Sequence, residues 1–368
     1  MAGENKQLNE NGEYEVKVET EHLKCSACGG NMVFDPDKQM LFCEHCGTTQ
    51  VIDGQSHAVE LDLDGAFFSD NKWESDESLV FTCDNCGAKV VLNKNETAKE
   101  CPFCGTGHVQ ETEALSGIKP NAVIPFKLGL EKAIEITKNW ARKKFFAPRN
   151  FKKNLKTENV KGVYTPCFTF DSKTSSTYVG RIGKTHTRVV GSGKNRRTET
   201  YTVWRNISGT YFHNFNDILV SAGEKVDQGK IDKMSPFDTE NSKTYEESFL
   251  LGFMAYHYDK EVTNMWAEAK GRMDVVLRKL ILSQYSYDKV SYLNVSTCHE
   301  NVTYKYVMLP VYVGNFNYRS KLFNFYVNGE TGKVIGKTPK SPWKILLTVL
   351  LSMAVIAGSV LLFFLLNS

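Results

Sequence analysis

At 368 residues, with 41% hydrophobic and 24% charged side chains, the chain has room for two or three domains and the composition of a globular protein. Wholesale disorder, a collagen-like fibre and a small disulfide scaffold are excluded. The net charge of +3 conceals an asymmetry: residues 1–110 hold 8 Lys/Arg against 20 Asp/Glu, and the remainder holds 37 against 22. An acidic head therefore precedes a basic body, whose surplus is concentrated between Lys119 and Arg205, with 20 basic and 5 acidic residues.

Residues 1–21 read as a disordered acidic tail with no apolar core of a secretory signal. Two repeats follow. Cys25, Cys28, Cys43 and Cys46 form C-x2-C-x14-C-x2-C, and Cys83, Cys86, Cys101 and Cys104 repeat that spacing 58 residues later. Glycine follows the second cysteine of every pair (Gly29, Gly47, Gly87, Gly105), which suits a tight knuckle whose backbone N–H groups fold over a thiolate. Four thiolates leave no open coordination position, so the sites are expected to hold two structural Zn²⁺ ions, one in each four-cysteine ribbon. Spacing alone leaves iron open as the metal. The ribbons are assigned to residues 22–53 and 79–112, with Met32-Val33-Phe34, Met40-Leu41-Phe42 and Lys89–Leu92 as their short strands. Residues 54–78 form an acidic linker in which Phe67, Phe68 and Trp73 are expected to dock. With four thiolates per Zn²⁺ the head becomes still more negative, so phosphate is repelled and nucleic acid is not the expected partner of the ribbons. They read as protein-docking or spacing modules, able to fold back on the basic body through a contact that salt would weaken.

The body is assigned to residues 118–338. Leu128–Phe146 has helical spacing through Leu130, Ala133, Ile134, Thr137, Trp140 and Ala141 and is stopped by Ala147-Pro148. Arg142, Lys143, Lys144, Arg149, Lys152 and Lys153 crowd its end, more cations than the preference for a helix C-terminus requires. Together with Arg196 and Arg197, at a hairpin tip over Gly191–Arg197, they are candidates for binding an anionic surface. Between Gly162 and Tyr211 the Thr, Val, Tyr and Phe content predicts four strands, VYTPCFTFD, SSTYVGRIG, TRVVGS and TETYTVWRNISGTYF. Gly180 to Thr185 imitates a phosphate loop, but the required first glycine would fall at Tyr178 and no strand-to-helix pattern surrounds it. Asn216–Asp232 reads as helical turns and loop. Phe249–Tyr258 is too apolar to be exposed, Met265–Tyr285 has helical spacing, and the segments YLNVSTCHE, VTYKYVMLPVYVGNF and KLFNFYVNGETGKVIG alternate like antiparallel strands.

Ile345–Leu366 is 22 residues without a charge, about 33 Å of helix, and the assigned membrane span is 343–366. Lys333, Lys337, Lys340 and Lys344 precede it, which predicts a single-pass C-terminal anchor in the cell membrane with the bulk of the chain cytoplasmic, where thiols stay reduced. The expected fold is thus multidomain: two tandem four-cysteine zinc ribbons of small β type, an α+β body with antiparallel strands, and one C-terminal transmembrane helix.

The CxxCG repeats, Tyr164-Thr165-Pro166-Cys167-Phe168-Thr169-Phe170-Asp171, Ser235-Pro236-Phe237, Leu251-Gly252-Phe253-Met254-Ala255, Leu309-Pro310-Val311-Tyr312 and Asn328-Gly329-Glu330-Thr331-Gly332-Lys333 resemble the bacterial zinc-ribbon membrane proteins of the YdjG type. Such proteins often carry the labels primosomal protein N′-like or TFIIB-type zinc finger, for which the ribbons alone are responsible. The resemblance implies a membrane-bound partner or anchor for cytosolic envelope-stress proteins of the phage-shock (PspA) and SPFH kinds. Three functions follow as expectations. A non-enzymatic adaptor or scaffold that docks soluble proteins, in a hetero-oligomer with anionic-lipid contact, leads. A membrane-tethered nucleic-acid binder related to replication or transcription, using Arg142 to Lys156 and Arg196-Arg197, is the alternative. An enzyme built from Cys167, His186, His213, His257 or Cys298 comes last, because no spacing supports that constellation.

Overall fold

The computed structural model describes residues 6–8, 14–16, 24–52, 56–63, 75–93, 100–106, 109–115, 118–149, 151, 160–260, 262–318 and 321–366. In chain order the strands of the head are β1 (Lys6–Leu8), β2 (Tyr14–Val16), β3 (Met32–Asp35), β4 (Met40–Cys43), β5 (Thr49–Gln50), β6 (Leu61–Asp62), β7 (Ser75–Cys83), β8 (Lys89–Asn93) and β9 (Val109–Leu115). The body follows as β10 (Ala122–Val123), α1 (Leu130–Lys143), β11 (Val160–Val190), β12 (Arg197–Ser221), α2 (Gln228–Met234), β13 (Lys243–Thr244), β14 (Met254–Tyr256), α3 (Val262–Ser283), β15 (Lys289–Tyr318), β16 (Lys321–Asn328) and β17 (Val334–Gly336). Helix α4 (Pro342–Leu366) ends the described chain.

Three long strands carry the architecture. β11 runs antiparallel to β12 on one side and to β15 on the other. The three separate strands expected between Gly162 and Ser192 are a single strand of 31 residues, because the Ser, Gly and Lys positions that weaken local β propensity are held by β12 and β15 as far as Gly183 and by β12 beyond it. β12 likewise continues to Ser221, through Asn216–Ser221 where turns and loop were expected, because its pairing with β11 runs on to Ser221 opposite Cys167. A line of irregularities crosses the three strands: β11 shifts register at Asp171 against both neighbours, and Asp217 and Asn301 have positive φ of 53° and 49°. Bulges bend strands, and this line divides the ribbon into a body half and a projecting arm.

The body half is sandwiched by aromatic side chains. Phe126 stacks on Phe253 at 4.2 Å and meets Tyr164 and Tyr312 at 5.0 and 4.8 Å. Under the arm, α3 buries Met265, Ala269, Met273, Leu277 and Ile281, a stripe at strict four-residue spacing, and Ile281 closes a small core with Tyr178, Ile182 and Ile207. Helix α1 buries Ala133, Ile134, Thr137 and Ala141, the centre of its expected face.

Both metal ribbons are built into this body. β8 pairs with β14 (Ala255 opposite Val91, Tyr256 opposite Val90), and β14 pairs in parallel with β11, so β7, β8 and β9 belong to the same 12-stranded sheet as the long strands. The linker also docks: β6 pairs with β15 at Tyr304 and Thr303, and Ala58 N donates to Ser242 O. Phe67, Phe68 and Trp73, expected to dock, lie outside the described residues.

The aromatic sandwich and α3 give opposite outcomes for one chemical change. A Cβ at Gly162 would lie 2.4 Å from Phe253, whose ring cannot retreat because Phe126 backs it; at Gly271, inside α3, a Cβ meets nothing within 4 Å. Gly162→Ala is expected to destabilise by about 1–3 kcal/mol and Gly271→Ala to stabilise by about 0.5–1 kcal/mol, read as urea midpoints of the full chain in detergent.

Candidate metal centres and basic surfaces

The four knuckles share one backbone pattern. Gly29, Gly47, Gly87 and Gly105 have φ of 70°, 77°, 70° and 72°, and each donates its N–H to the carbonyl of the first cysteine of its pair, at 2.7–2.9 Å. Cys25, Cys43, Cys83 and Cys101 donate in turn to Gly30, Thr48, Ala88 and Thr106. A left-handed residue is needed to close this loop, and glycine adopts it without penalty.

The loops bring each set of four Sγ atoms within 4.8 Å of one another. Cys25–Cys46 and Cys28–Cys43 are 3.5 and 3.6 Å apart, and Cys83–Cys104 and Cys86–Cys101 are both 3.6 Å. Disulfides, at about 2.05 Å, are excluded. A tetrahedron with Zn–S of about 2.3 Å has edges of about 3.8 Å, close to these separations. The backbone also closes over the sulfurs: a Cβ at Gly30 would lie 3.3 Å from Cys28 Sγ and 3.4 Å from Cys43 Sγ. The donor set therefore fits two structural zinc ions, four thiolates each.

Thiols at this distance compete for protons. The Thr48 hydroxyl and backbone N–H hold Cys46 down to about 6, whereas burial pushes Cys86 up to about 11. A dication resolves the conflict by displacing the protons from all four ligands.

Each ribbon is held by its own face. Phe34 packs against Phe249 at 5.5 Å, its N–H donates to Leu251 O, and Gln39 Nε2 donates to Phe126 O at 2.7 Å. In the second ribbon Phe103 meets Tyr256 edge-on at 5.2 Å, His257 N donates to Lys89 O, and Lys225 Nζ donates to Cys86 O. Asn315 of β15 sits against the Gly105 knuckle, 3.3 Å from where a Cβ would stand. These contacts are chiefly aromatic packing and backbone hydrogen bonds, which salt does not screen. The ribbons thus fold back on the body as expected, and among these contacts Lys225 on the Cys86 carbonyl is the charged one.

A third acidic group, Glu60, Asp171 and Asp217, lies at the bulge line. It already contains a cation: the buried Lys305 ammonium is 3.0 Å from Glu60 and 2.8 Å from Asp217. Burial pushes Asp171 up to about 6, although the Asp217 N–H donates to its carboxylate at 2.6 Å. This is an ion-pair cluster pinning the linker to the bend; no sequence signal grouped these residues, because two of the four stand at bulges.

The structure separates the basic candidates that the sequence placed in one set. Arg142, Lys143, Lys144 and Arg149 lie at the end of α1, while Arg196 and Arg197 lie at the tip of the arm, where β11 ends and β12 begins. The strand between those regions is 31 residues, about 100 Å if straight. Lys152 and Lys153 lie outside the described residues. Beyond Gly183, where β15 begins its pairing, residues 184–190 pair with β12 alone and form a two-stranded ribbon about 23 Å long. It carries Lys184, Arg188, Arg196 and Arg197 against Glu199, which pairs with Arg188 and Arg197, and Arg188 lies over Tyr201 at 5.6 Å; just below it, where β15 still pairs, Arg181 lies over Trp204 at 5.8 Å.

Of the juxtamembrane lysines, Lys333 donates to Ser235 O within the body, Lys337 and Lys340 are exposed, and Lys344 is half-buried at the start of α4. Residues 342–360 of α4 have mean hydropathy 1.9 and none of that stretch is fully buried inside the protein, so the helix is long and apolar enough to cross a membrane. The five residues considered for an enzyme are not assembled. Cys167 is sealed in the core and burial raises its thiol; His186 is 19 positions further along the same strand, about 60 Å. Cys298 and His213 face opposite sides of the sheet, opposite Ser175 and Thr174.

Metal content follows from the two centres. Thiol-blocking of the purified protein is expected to release two zinc equivalents per chain to a colorimetric chelator; Cys28→Ser or Cys86→Ser lowers this to about one, and Cys298→Ser leaves it at two. Visible thiolate-to-iron absorbance in place of released zinc would contradict the assignment.

The chain is similar to "Uncharacterized protein YdjG" of Bacillus subtilis (strain 168), with 29% identity over 324 residues, 88% of this chain and 91% of that one. A match of that length necessarily includes most of the body. No protein-family model matches the chain. No solved structure matches it.

Proposed function

We propose that the protein is a non-enzymatic, membrane-anchored adaptor, held by α4 on the cytoplasmic face of the cell membrane, that docks soluble proteins. The observation that carries this reading is the tip of the arm: a basic two-stranded β-ribbon, residues 184–190 with 197–203, that runs past the pairing with β15 and is joined through the bulged strands to a body that ends in an unburied apolar helix. Cysteine clusters without disulfides, Lys337 and Lys340 before the helix and Lys344 in its first turn support a cytoplasmic body. The ribbons serve as structural supports that each spend one face on the body, and the docking surface favoured is the arm. Partner proteins with an acidic surface fit it, and phage-shock (PspA) or SPFH-type proteins are the candidates that the resemblance supplies. Charge on an exposed strand edge also guards against edge-to-edge aggregation, but that role alone does not call for Arg–aromatic pairs.

The same arm favours one other reading, a membrane-tethered nucleic-acid binder, since cations and aromatic rings on a projecting ribbon also suit a phosphate backbone. Affinity purification of tagged full-length protein from crosslinked membranes separates the two. The adaptor reading expects a defined set of proteins, reduced about tenfold by Arg196→Glu with Tyr201→Ser, and no nucleic acid. Nucleic acid recovered in amounts that fall steeply with salt would overturn it. Removal of residues 345–366 is expected to move the protein to the soluble fraction, and persistent membrane attachment would refute the anchor.

A further inference from the structure

Helix α4 does not leave the body on a free tether. Lys344, in its first turn, donates from Nζ to the carbonyls of Phe145 at 2.9 Å and Ala147 at 2.8 Å, and Ser341 N donates to Phe146 O at 2.8 Å. The loop that follows α1 is thereby strapped to the start of the apolar helix. It presents Phe145, 66% exposed and edge-on to Phe146 at 5.2 Å, while Trp343 in the first turn of α4 is 76% exposed. In water such exposed aromatics would be unfavourable.

Between strap and helix lies an open cleft of about 490 Å³, lined by Phe145, Pro148, Arg149, Ser341, Lys344 and Leu347. The lining carries two cations and no carboxylate. Leu347 belongs to the apolar run, so the cleft joins an ionic wall to the lipid-facing surface of α4. Twenty residues from Leu346 to Leu365 span a hydrocarbon core of about 30 Å. That register puts Ser341 and Lys344 at headgroup depth, and the strap carries Phe145 and Arg149 to the same level. Aromatic and basic side chains are the ones favoured at that depth.

We propose that this cleft is a headgroup site for an anionic phospholipid. The phosphodiester lies by Arg149 and Lys344, an acyl chain runs along Leu347, and Phe145 with Trp343 sits in the interface. The site rests on α4 spanning the membrane and adds to it a second point of attachment. One helix alone lets the body swivel about residues 337–341; strap and lipid together fix its tilt, and with it the direction in which the arm points.

The test uses the full chain with Phe145→p-benzoylphenylalanine, reconstituted in phosphatidylcholine vesicles with or without phosphatidylglycerol, photolysed and analysed by mass spectrometry. The same probe in place of the exposed Phe212 of the arm is the control. The proposal expects phosphatidylglycerol adducts at position 145 about fivefold above its share of the bilayer. They should be lost with Arg149→Gln, absent at position 212 and unaffected by soluble glycerol phosphate. Adducts without enrichment, or enrichment indifferent to Arg149→Gln, would overturn the headgroup site. Displacement by soluble glycerol phosphate would assign the cleft to a free phosphate, and adducts to a second copy of the chain in place of lipid would make it a protein contact; either refutes the proposal. Alkaline extraction of the same vesicles distinguishes the deeper failure: if the unsubstituted chain is stripped off, the anchor itself is wrong, whereas retention without lipid adducts removes only the cleft.

Discussion

A few backbone hydrogen bonds decide how this protein is organised. β14, three residues long, lies between the second metal ribbon and the central strand, with Ala255 opposite Val91 on one edge and Met254 opposite Val163 on the other. An unpaired backbone group in such a buried position is costly, so the ribbon edge and the body edge complete each other. The metal knuckles then act on the body as well as on their own loops: Cys83, Ala88, Cys101 and Phe103 share one core with Val163, Cys167 and Tyr256. The first ribbon does the same by a different route, sending Phe34 into the principal core beside Phe249. A ribbon of this size cannot bury enough apolar surface alone, and metal ligation together with docking supplies what it lacks.

The bulge line gives the molecule its two ends. On one side β11 and β15 are covered on both faces and hold the ribbons, the linker and α1. On the other they run out as an arm backed, among the described residues, by α3. Lys305, ringed by Glu60 and Asp217, fastens the linker at the bend. Breaking one partner of such a buried pair leaves an uncompensated charge, so the bend is a defined hinge point in the architecture, not an accident of twist. The basic residues fall on either side of it, those of α1 near the base of α4 and those of the arm tip at the far end. Their combined charge in the sequence is one number, but in space it is two surfaces with different companions.

What could be read from the sequence was local. The four-cysteine sets, the knuckle glycines, the hairpin at Met32 to Phe42, the α3 stripe and the apolar helix all announce themselves within one or two turns or loops of chain. The long strands did not, because a strand of 31 residues far exceeds the usual length and its Ser, Gly and Lys positions look like breaks until partners on both sides are known. Asn216 and Asp217 read as loop for the same reason: positive φ at Asp217 is part of a bulge, and a bulge is visible only against its neighbours. Pairing of β8 with β14 joins residues more than 160 positions apart, and the carbonyls that hold Lys344 come from about 200 residues upstream. No local pattern encodes either contact.

The measurement that tests the account most directly is hydrogen exchange of the full chain in detergent, before and after removal of the metal. If the ribbons are structural parts of the body, loss of metal should deprotect Met254–Tyr256 and the Val160–Cys167 end of β11 along with the knuckles, while the arm beyond the bulge line stays unchanged. Deprotection confined to residues 24–50 and 83–106 would show that the ribbons are independent modules resting on an indifferent body.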